Sequence, residues 1–459
     1  MSLWQKMAEN SSLKRIGSLW REDATLRRVI KNSSYLFSSS TLSIGFNLAA
    51  SVFSTRTLDV FGYGVLAAVT TFAAVADKLL SFRIGELVIK YAGQALANGE
   101  KERAAAVFKT AALTELGVSL LSYLLIVLTA PLAALYFAKD ASLAPFFIFY
   151  GLIIPAGFIY ETSSALLQVS GHFRSQAVLN LLQSIVTAGI VGYAYLTGAG
   201  LQLVLTAYLV GKTITGFGFA ILALWRAREL FGPGWWRVSF RQLPPQREFW
   251  IFAFSSNFSG TVNLFVRDSD ILWVNYFLSP LAGGYYKLAM TIISFMMMPI
   301  DPFIKTSFPE ISKAIAERAW DRVKNLLKRL TAISASVTLG YGLVLLVAGQ
   351  WIISLVYGAK FVPALGPALI LLIGYGTANV LFWNRPLILA VGKPTFPLVV
   401  MIIAGLGKIG LSIWLVPRYG IVAQAALMSA YFVITIGLIV WQGLRQVSIQ
   451  QKIRPQNPG

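Results

Sequence analysis

Twelve stretches of this sequence stay apolar over the ~20 residues a helix needs to cross a bilayer, yet eight lysines and arginines sit inside them. The stretches are 32–56, 62–90, 104–135, 143–168, 174–197, 202–225, 249–275, 282–304, 326–349, 364–391, 394–416 and 419–444. In hydrocarbon every backbone N–H and C=O must be paired within the protein, and runs of this length read as membrane-spanning helices. The eight bases are Lys78, Arg83, Lys109, Lys212, Arg267, Lys287, Arg385 and Lys408. A charge at the bilayer centre costs ~2.5–3.5 kcal/mol on insertion scales, so such residues face a partner, a water-filled cavity or a ligand.

The chain of 459 residues is 56% hydrophobic and 13% charged, with a mean hydropathy of +0.67. Cysteine is absent and His172 is the single histidine, which excludes disulfides, thiolate nucleophiles and His- or Cys-rich metal sites. Residues 1–31 are too polar for a secretory signal; Leu13, Ile16 and Trp20 recur at helical spacing among basic residues, as expected of a cytosolic helix lying on anionic lipid. The net charge of +20 follows from topology. With both termini cytoplasmic, 27 of the 39 Lys and Arg fall on the inner side and four on the outer. That is the positive-inside pattern, and no nucleic-acid partner is needed to account for the charge.

The polar stretch 226–248, carrying Arg226, Arg228, Arg237, Arg241 and Arg247, divides the chain nearly in half. The expected organisation is a basic amphipathic N-terminus (1–31), a lobe of six spans (32–225), a cytoplasmic linker (226–248), a second lobe of six (249–444) and a cytosolic tail (445–459). Trp235 and Trp236 would hold the linker at the lipid interface. The halves look related: Gly64 and Gly284, each in a Gly-rich turn opening an even-numbered span, are 220 residues apart, and Gly171 and Gly392 are 221 apart. Two matches at one offset point to a parallel repeat, which in transporters places the site between two bundles. The fold class expected is all-α polytopic, with about twelve membrane helices in two pseudo-symmetric six-helix lobes around a central cavity.

Seven acids share the spans with the bases: Asp77, Glu86, Glu115, Glu161, Asp268, Asp270 and Asp301. Arg267, Asp268 and Asp270 form the densest cluster; on a regular helix Arg267 and Asp270 share a face, while Asp268 points about 100° away. Arg83, Glu86 and Lys90 make a polar stripe toward the cytoplasmic end of the second span, with Asp77 and Lys78 deeper. The alternative reading of these stripes is structural, a self-neutralising pair or snorkelling side chains. Lys212 and Lys408 have no acid at helical spacing, so each needs a partner on another helix or a ligand. Arg385 precedes Pro386, where the helix should kink. Glu115 and Glu161 are isolated acids that suit a coupling proton or sodium ion. Lys109 and Asp301 read as interfacial, and Lys287 as near enough to the outer end to snorkel. The string GLGKIG at 405–410 fits a dinucleotide fingerprint but sits inside a span; close helix packing is its expected role.

Three stretches carry a family resemblance: FGYGVLAAV after the first span, ALLQVSGHFRSQAVLNLLQSI across the fourth and fifth, and NLFVRDSDILWVNYFLSPLAGGYYKLAMTI, then FPEISKA, across the seventh and eighth. The sequence resembles the Wzx-type oligosaccharide flippases, the polysaccharide-transporter branch of the MATE/lipid-flippase (MOP) superfamily. The resemblance implies two lobes around a V-shaped cavity. It further implies translocation of undecaprenyl-pyrophosphate-linked sugars across a bacterial inner membrane by alternating access, for O-antigen, capsule or exopolysaccharide synthesis. The expected substrate contacts are then Lys78, Lys212, Arg267 and Lys408 for the diphosphate, Arg385 as a lower gate, and Asp77, Asp268 and Asp270 lining the cavity. No cofactor or metal is expected; energy would come from a proton or sodium gradient or the membrane potential. The lipid-linked sugar, membrane lipids and a polysaccharide polymerase are the candidate partners. Two rivals stay open: a cation-coupled MATE-like exporter, and a membrane glycan polymerase or ligase. The short outer loops favour a transporter over an enzyme.

Overall fold

Because an unpaired peptide group in lipid costs several kcal/mol, a chain this apolar can satisfy its backbone only within its own helices. The computed structural model describes residues 24–80, 84–243 and 262–452, and no strand occurs among them. The membrane helices are α1 Ala24–Thr57 and α2 Val60–Leu80, then α3 Lys101–Ala138, α4 Ala141–Val169, α5 Phe173–Thr197 and α6 Leu201–Phe231. The described part of α7 is a π-helical turn, Leu264–Asp268, followed by Asp270–Phe277, and α8 is Pro280–Met297. Next come α9 Trp320–Val356 and α10 Ala359–Ala390. Thr395–Lys452 is two helices, α11 (395–419) and α12 (421–452), meeting at Gly420, whose φ of 68° and ψ of −153° suit glycine alone. Eight helices among the described residues are long and apolar enough to span a membrane by length and composition. The helix of α12 continues to Lys452, so the expected tail begins as a helical extension of the last span.

The two halves meet through equivalent residues. Asp59 opens α2 by accepting from the Gly62 N–H at 2.7 Å; Ser279, 220 residues on, opens α8 by accepting from the Ala282 N–H at 3.3 Å. One turn later the helices cross. A Cβ at Gly64 would stand 1.7 Å from the Pro280 carbonyl oxygen, and one at Gly284 2.3 Å from that of Val60. The contact is reciprocal at the repeat offset, which places a pseudo-two-fold axis between α2 and α8. Gly64 and Gly284 lack side chains because each faces the other lobe's backbone.

Further inter-lobe contacts cluster at the same end of the bundle, where the connections are shortest. Asn275 Nδ2 donates to the carbonyls of Gly64 (3.3 Å) and Phe137 (3.0 Å). Lys139 Nζ donates to the Tyr276 carbonyl at 2.6 Å. Arg56 donates to the carbonyls of Val356, at 3.1 Å, and Leu355. At this end α2 packs on α7 and α8, and the lobes are closed.

The connection after α6 is not a free surface strand. Lys109 Nζ donates to the Val238 carbonyl at 3.1 Å and lies 4.2 Å above the Phe240 ring. Trp235 packs edge-on to Phe108, 5.4 Å between centroids. Gln242 reaches Glu102 at 3.3 Å. Residues 232–243 are therefore fastened to α3 of the first lobe. Lys109, expected to be merely interfacial, holds the linker, and of the tryptophan pair only Trp236 is exposed.

Candidate functional site

The charged residues of the spans separate into three places. The first lies between the lobes. Lys78, in the last turn of α2, donates to Asp268 Oδ2 at 2.8 Å, and Arg267 Nε donates to Asp268 Oδ1 at 3.3 Å. The side chains of Lys78 and Arg267 are 54% and 48% exposed, that of Asp268 only 23%. One carboxylate thus sits beneath two cations that are open above it. The excess positive charge is the exposed part of the group, and its two sources belong to different lobes.

The second place is buried inside the second lobe. Lys408 on α11 donates to Asp270 Oδ1 and to the Val266 carbonyl, and Tyr286 donates its hydroxyl to Asp270 Oδ2 at 2.9 Å. Both charged side chains are nearly inaccessible, 3% and 1% exposed. Lys408 and Asp270, both expected to meet substrate, are placed here against each other and Tyr286 inside the lobe. The expected shared face of Arg267 and Asp270 is not observed, since the π turn over Leu264–Asp268 adds a residue to the hydrogen-bonded loop and Ser269 interrupts the helix. Asp270 is rotated into the lobe while Asp268 takes Arg267. Gly405 lets α11 come this close, because a Cβ there would meet Val266 Cγ2 at 2.4 Å. Close packing therefore explains the first glycine of GLGKIG, whereas Gly407 and Gly410 face open space.

The third place is a cavity of about 360 Å³ within the first lobe, lined by Asp77, Glu115, Glu161, Tyr160 and Lys212. It exists because α4 is broken. Its helical pieces Ile153–Ala156 and Tyr160–Val169 are separated by an irregular turn at Gly157, following Pro155. α6 packs into the break, for a Cβ at Gly216 would be 1.8 Å from the Ala156 carbonyl oxygen and one at Gly157 2.7 Å from Lys212 Cε. The break exposes helix N–H groups, and Glu115 on α3 caps them by accepting from Glu161 N at 2.8 Å and Thr162 N at 2.9 Å. Lys212 forms no ion pair among the described residues; its Nζ stands 4.0 Å above the Tyr160 ring. Three carboxylates surround one ammonium, so this cavity favours cations. The expected diphosphate role of Lys212 conflicts with that setting, because an anionic headgroup would meet an acid-rich wall and a helix N-terminus already filled by Glu115. Tyr160 and Glu161 also line a second hollow of about 280 Å³, beside Glu86 and Gln168.

The remaining expected residues are placed as follows. Glu86 and Lys90 are exposed, Lys90 lying 4.8 Å above the Tyr91 ring; Arg83 lies outside the described residues. Arg385 is exposed beyond a second helix break, between Leu365–Val380 and Asn384–Ala390. Lys287 is half-buried on α8. His172 hydrogen-bonds Ser170 Oγ through Nδ1 at 3.0 Å. Partial burial, with Arg226 nearby, pushes its imidazole below the usual 6.5, as suits a turn residue that stays neutral at pH 7. No group of His, Asp or Glu that could hold a metal occurs among the described residues. The sequence reading missed Tyr286, Tyr160 and Asn275. An asparagine within a run of apolar residues was the one signal available for Asn275.

The family model for polysaccharide biosynthesis proteins matches residues 55–365. The chain belongs to that family. It is 22% identical over 360 residues to the inner membrane protein YghQ of Escherichia coli K12, an alignment that covers 75% of this chain and 97% of YghQ. The fold is that of MOP-superfamily transporters. An inward-facing multidrug-resistance MATE transporter superposes with a TM-score of 0.62 at 16% identity, covering 89% of this chain and 95% of that one. A MOP-superfamily transporter of Pyrococcus furiosus, described as having a binding pocket of reverse polarity, superposes with a TM-score of 0.59 at 13% identity, covering 93% and 96%. This family member is a multi-pass membrane protein with two six-helix lobes.

Proposed function

We propose that this protein is a flippase for undecaprenyl-pyrophosphate-linked oligosaccharides in a bacterial inner membrane, working by alternating access. The observation that carries the reading is the Lys78–Asp268–Arg267 group. Two half-exposed cations from opposite lobes sit over one carboxylate. A diphosphate is a multidentate acceptor matched to such cations, and its arrival would compete with Asp268 for both. Exchange of an internal anion for the substrate's would loosen one of the ties between lobes, which is what an alternating-access cycle requires. The reading keeps both termini cytoplasmic, so the closed, short-loop end faces outward. A bond-making role is not part of it: the chain supplies charge and shape but carries the substrate unchanged. Coupling to a cation belongs to the first-lobe cavity, where Asp77 and Glu161 stand beside Lys212.

That acidic cavity also supports the second reading, a cation-coupled exporter of organic cations. The two are separated by one experiment. Purified protein in liposomes is assayed for movement of a fluorescent undecaprenyl-pyrophosphate-linked sugar and, separately, for efflux of a cationic dye. Lipid movement that drops about tenfold or more in Arg267→Gln and Lys78→Gln is expected, since a charged hydrogen bond is worth ~1.5–3 kcal/mol. Dye efflux without lipid movement would select the exporter.

A further inference from the structure

One buried ammonium grips both ends of the turn that carries the exposed charges. Lys408 donates to the Val266 carbonyl and to Asp270 Oδ1, and Arg267 and Asp268 lie between those two points. Burial follows the same pattern: Val266, Ser269 and Asp270 are buried, Arg267 is exposed and Asp268 is intermediate. Ser269 is held from within the lobe as well. Its N–H donates to the Leu264 carbonyl at 3.0 Å, closing the π turn. Its hydroxyl donates to the Phe265 carbonyl at 2.9 Å and accepts from Trp273 Nε1 at 3.2 Å. Tyr286 takes the second oxygen of Asp270. The tie from Lys78 to Asp268, by contrast, crosses between the lobes.

A regular helix over the same residues would present different groups. Arg267 and Asp270, three apart, would share a face and pair, and Asp268 would point about 100° away from them. Lys78 would then lose its partner, and Arg267 would be drawn toward the interior of the lobe. Lys408 opposes this in two ways. It occupies Asp270, so the carboxylate that could recruit Arg267 is already neutralised, and it ties down the Val266 carbonyl on the other side of the exposed pair. An ammonium has three donors and can serve a carbonyl and a carboxylate at once; at 3% exposed, this one does not share them with solvent. Gly405 makes the grip possible, since a Cβ there would run into Val266 and hold α11 off the turn. We propose that Lys408 is a positioning residue for the anion site: through Val266 and Asp270 it holds the π turn that presents Arg267 and Asp268 to Lys78. The inference rests on the flippase reading for what the site binds, and adds which buried residue shapes it.

The test separates positioning from stability in the full chain. A water-soluble carbodiimide activates the Asp268 carboxyl; the Lys78 amine, having shed a proton, displaces the urea and forms an amide. The joined peptide pair, quantified by mass spectrometry, reports how often the two groups meet. Each variant is treated well below its own melting midpoint. In Lys408→Met/Asp270→Leu, where the buried charges are removed together and the melting midpoint is expected to recover, the yield should fall several-fold. In Asp270→Asn, expected to melt lower, Lys408 keeps the Val266 carbonyl and an oxygen acceptor at Oδ1, so the yield should stay within about twofold of the unmodified chain. That order is the reverse of the order of stability. Yields that follow the melting midpoints, or that are equal in the two variants, would overturn the proposal. If the paired variant does not fold, Lys408→Met against Asp270→Asn makes the same comparison, and equal yields there overturn it too. Movement of the fluorescent lipid-linked sugar in liposomes is measured in parallel and should drop about tenfold in the paired variant, as for loss of one charged contact. Undiminished movement would show that Lys408 does not shape the site for transport. A chain that cross-links in the expected order but moves no lipid even when unmodified would sink the flippase reading and leave the clamp standing.

Discussion

At the scale of single residues, the charges divide into those that hold the protein together and those free to do something else. Lys408 and Asp270 belong to the first kind. A buried pair is weak evidence of net stabilisation, but removing one partner strands the other charge, at a cost of about 3–5 kcal/mol. Lys408→Met and Asp270→Asn should each lower the thermal midpoint of the detergent-solubilised protein markedly. The double variant Lys408→Met/Asp270→Leu should recover much of the loss. Lys78→Gln, at a half-exposed site, should leave that midpoint nearly unchanged. If the single and double variants melted alike, the pair would not be the reason these residues are buried. Little of this partition was legible in the sequence. That charges occur in the spans is plain from composition, but Lys408 and Asp270 are 138 residues apart and Lys78 and Asp268 190 apart. Such partners depend on how distant helices meet. Glu115 makes the same point: it looks isolated along α3 and caps a helix on α4.

At the scale of elements, what could be read was the regular part. Apolar runs located the spans and a glycine turn repeated at 220 residues located the symmetry, because both leave a compositional mark. The interruptions were hidden. A π turn changes which carbonyl accepts a hydrogen bond without requiring any particular side chain, so the rotation of Asp270 away from Arg267 has no signature. Pro155 and Pro386 do flag breaks, and the structure has one near each. The crossing of α2 and α8 gives a sharp prediction. Gly64→Val and Gly284→Val would drive a side chain into the facing carbonyl, so the lobes could no longer approach at the short-loop end. The closed arrangement should be depopulated, read by spin-label distances across that end, with longer distances for both variants. Gly407→Ala, in open space, should change nothing; unaltered distances in Gly64→Val would show that the crossing does not govern closure.

At the scale of the whole molecule, closure at one end is made by donors from one lobe meeting backbone carbonyls of the other. Arg56 and Lys139 donate from the first lobe, and Asn275 reaches back from the second. Carbonyl acceptors are present whatever the side chain, so this seam tolerates sequence change on its accepting side. The chain has no cysteine of its own, so an introduced pair reports without background. Joining Arg56→Cys to Leu355→Cys with a short bifunctional thiol reagent should halt lipid movement. A cleavable reagent should allow it to resume on reduction, and continued movement in the joined protein would mean that this seam need not open.

The reciprocal seat of Gly64 on Pro280 and Gly284 on Val60 has one more consequence. A surface that meets its own equivalent about a two-fold axis is the isologous interface of a homodimer. A six-helix chain bearing only one such surface would already possess the complement for a second copy of itself. Joining two copies in one polypeptide leaves that contact unaltered and removes the requirement of symmetry. With symmetry not required, the halves can differ, and here one holds an acid-rich hollow and the other a lysine locked on an aspartate.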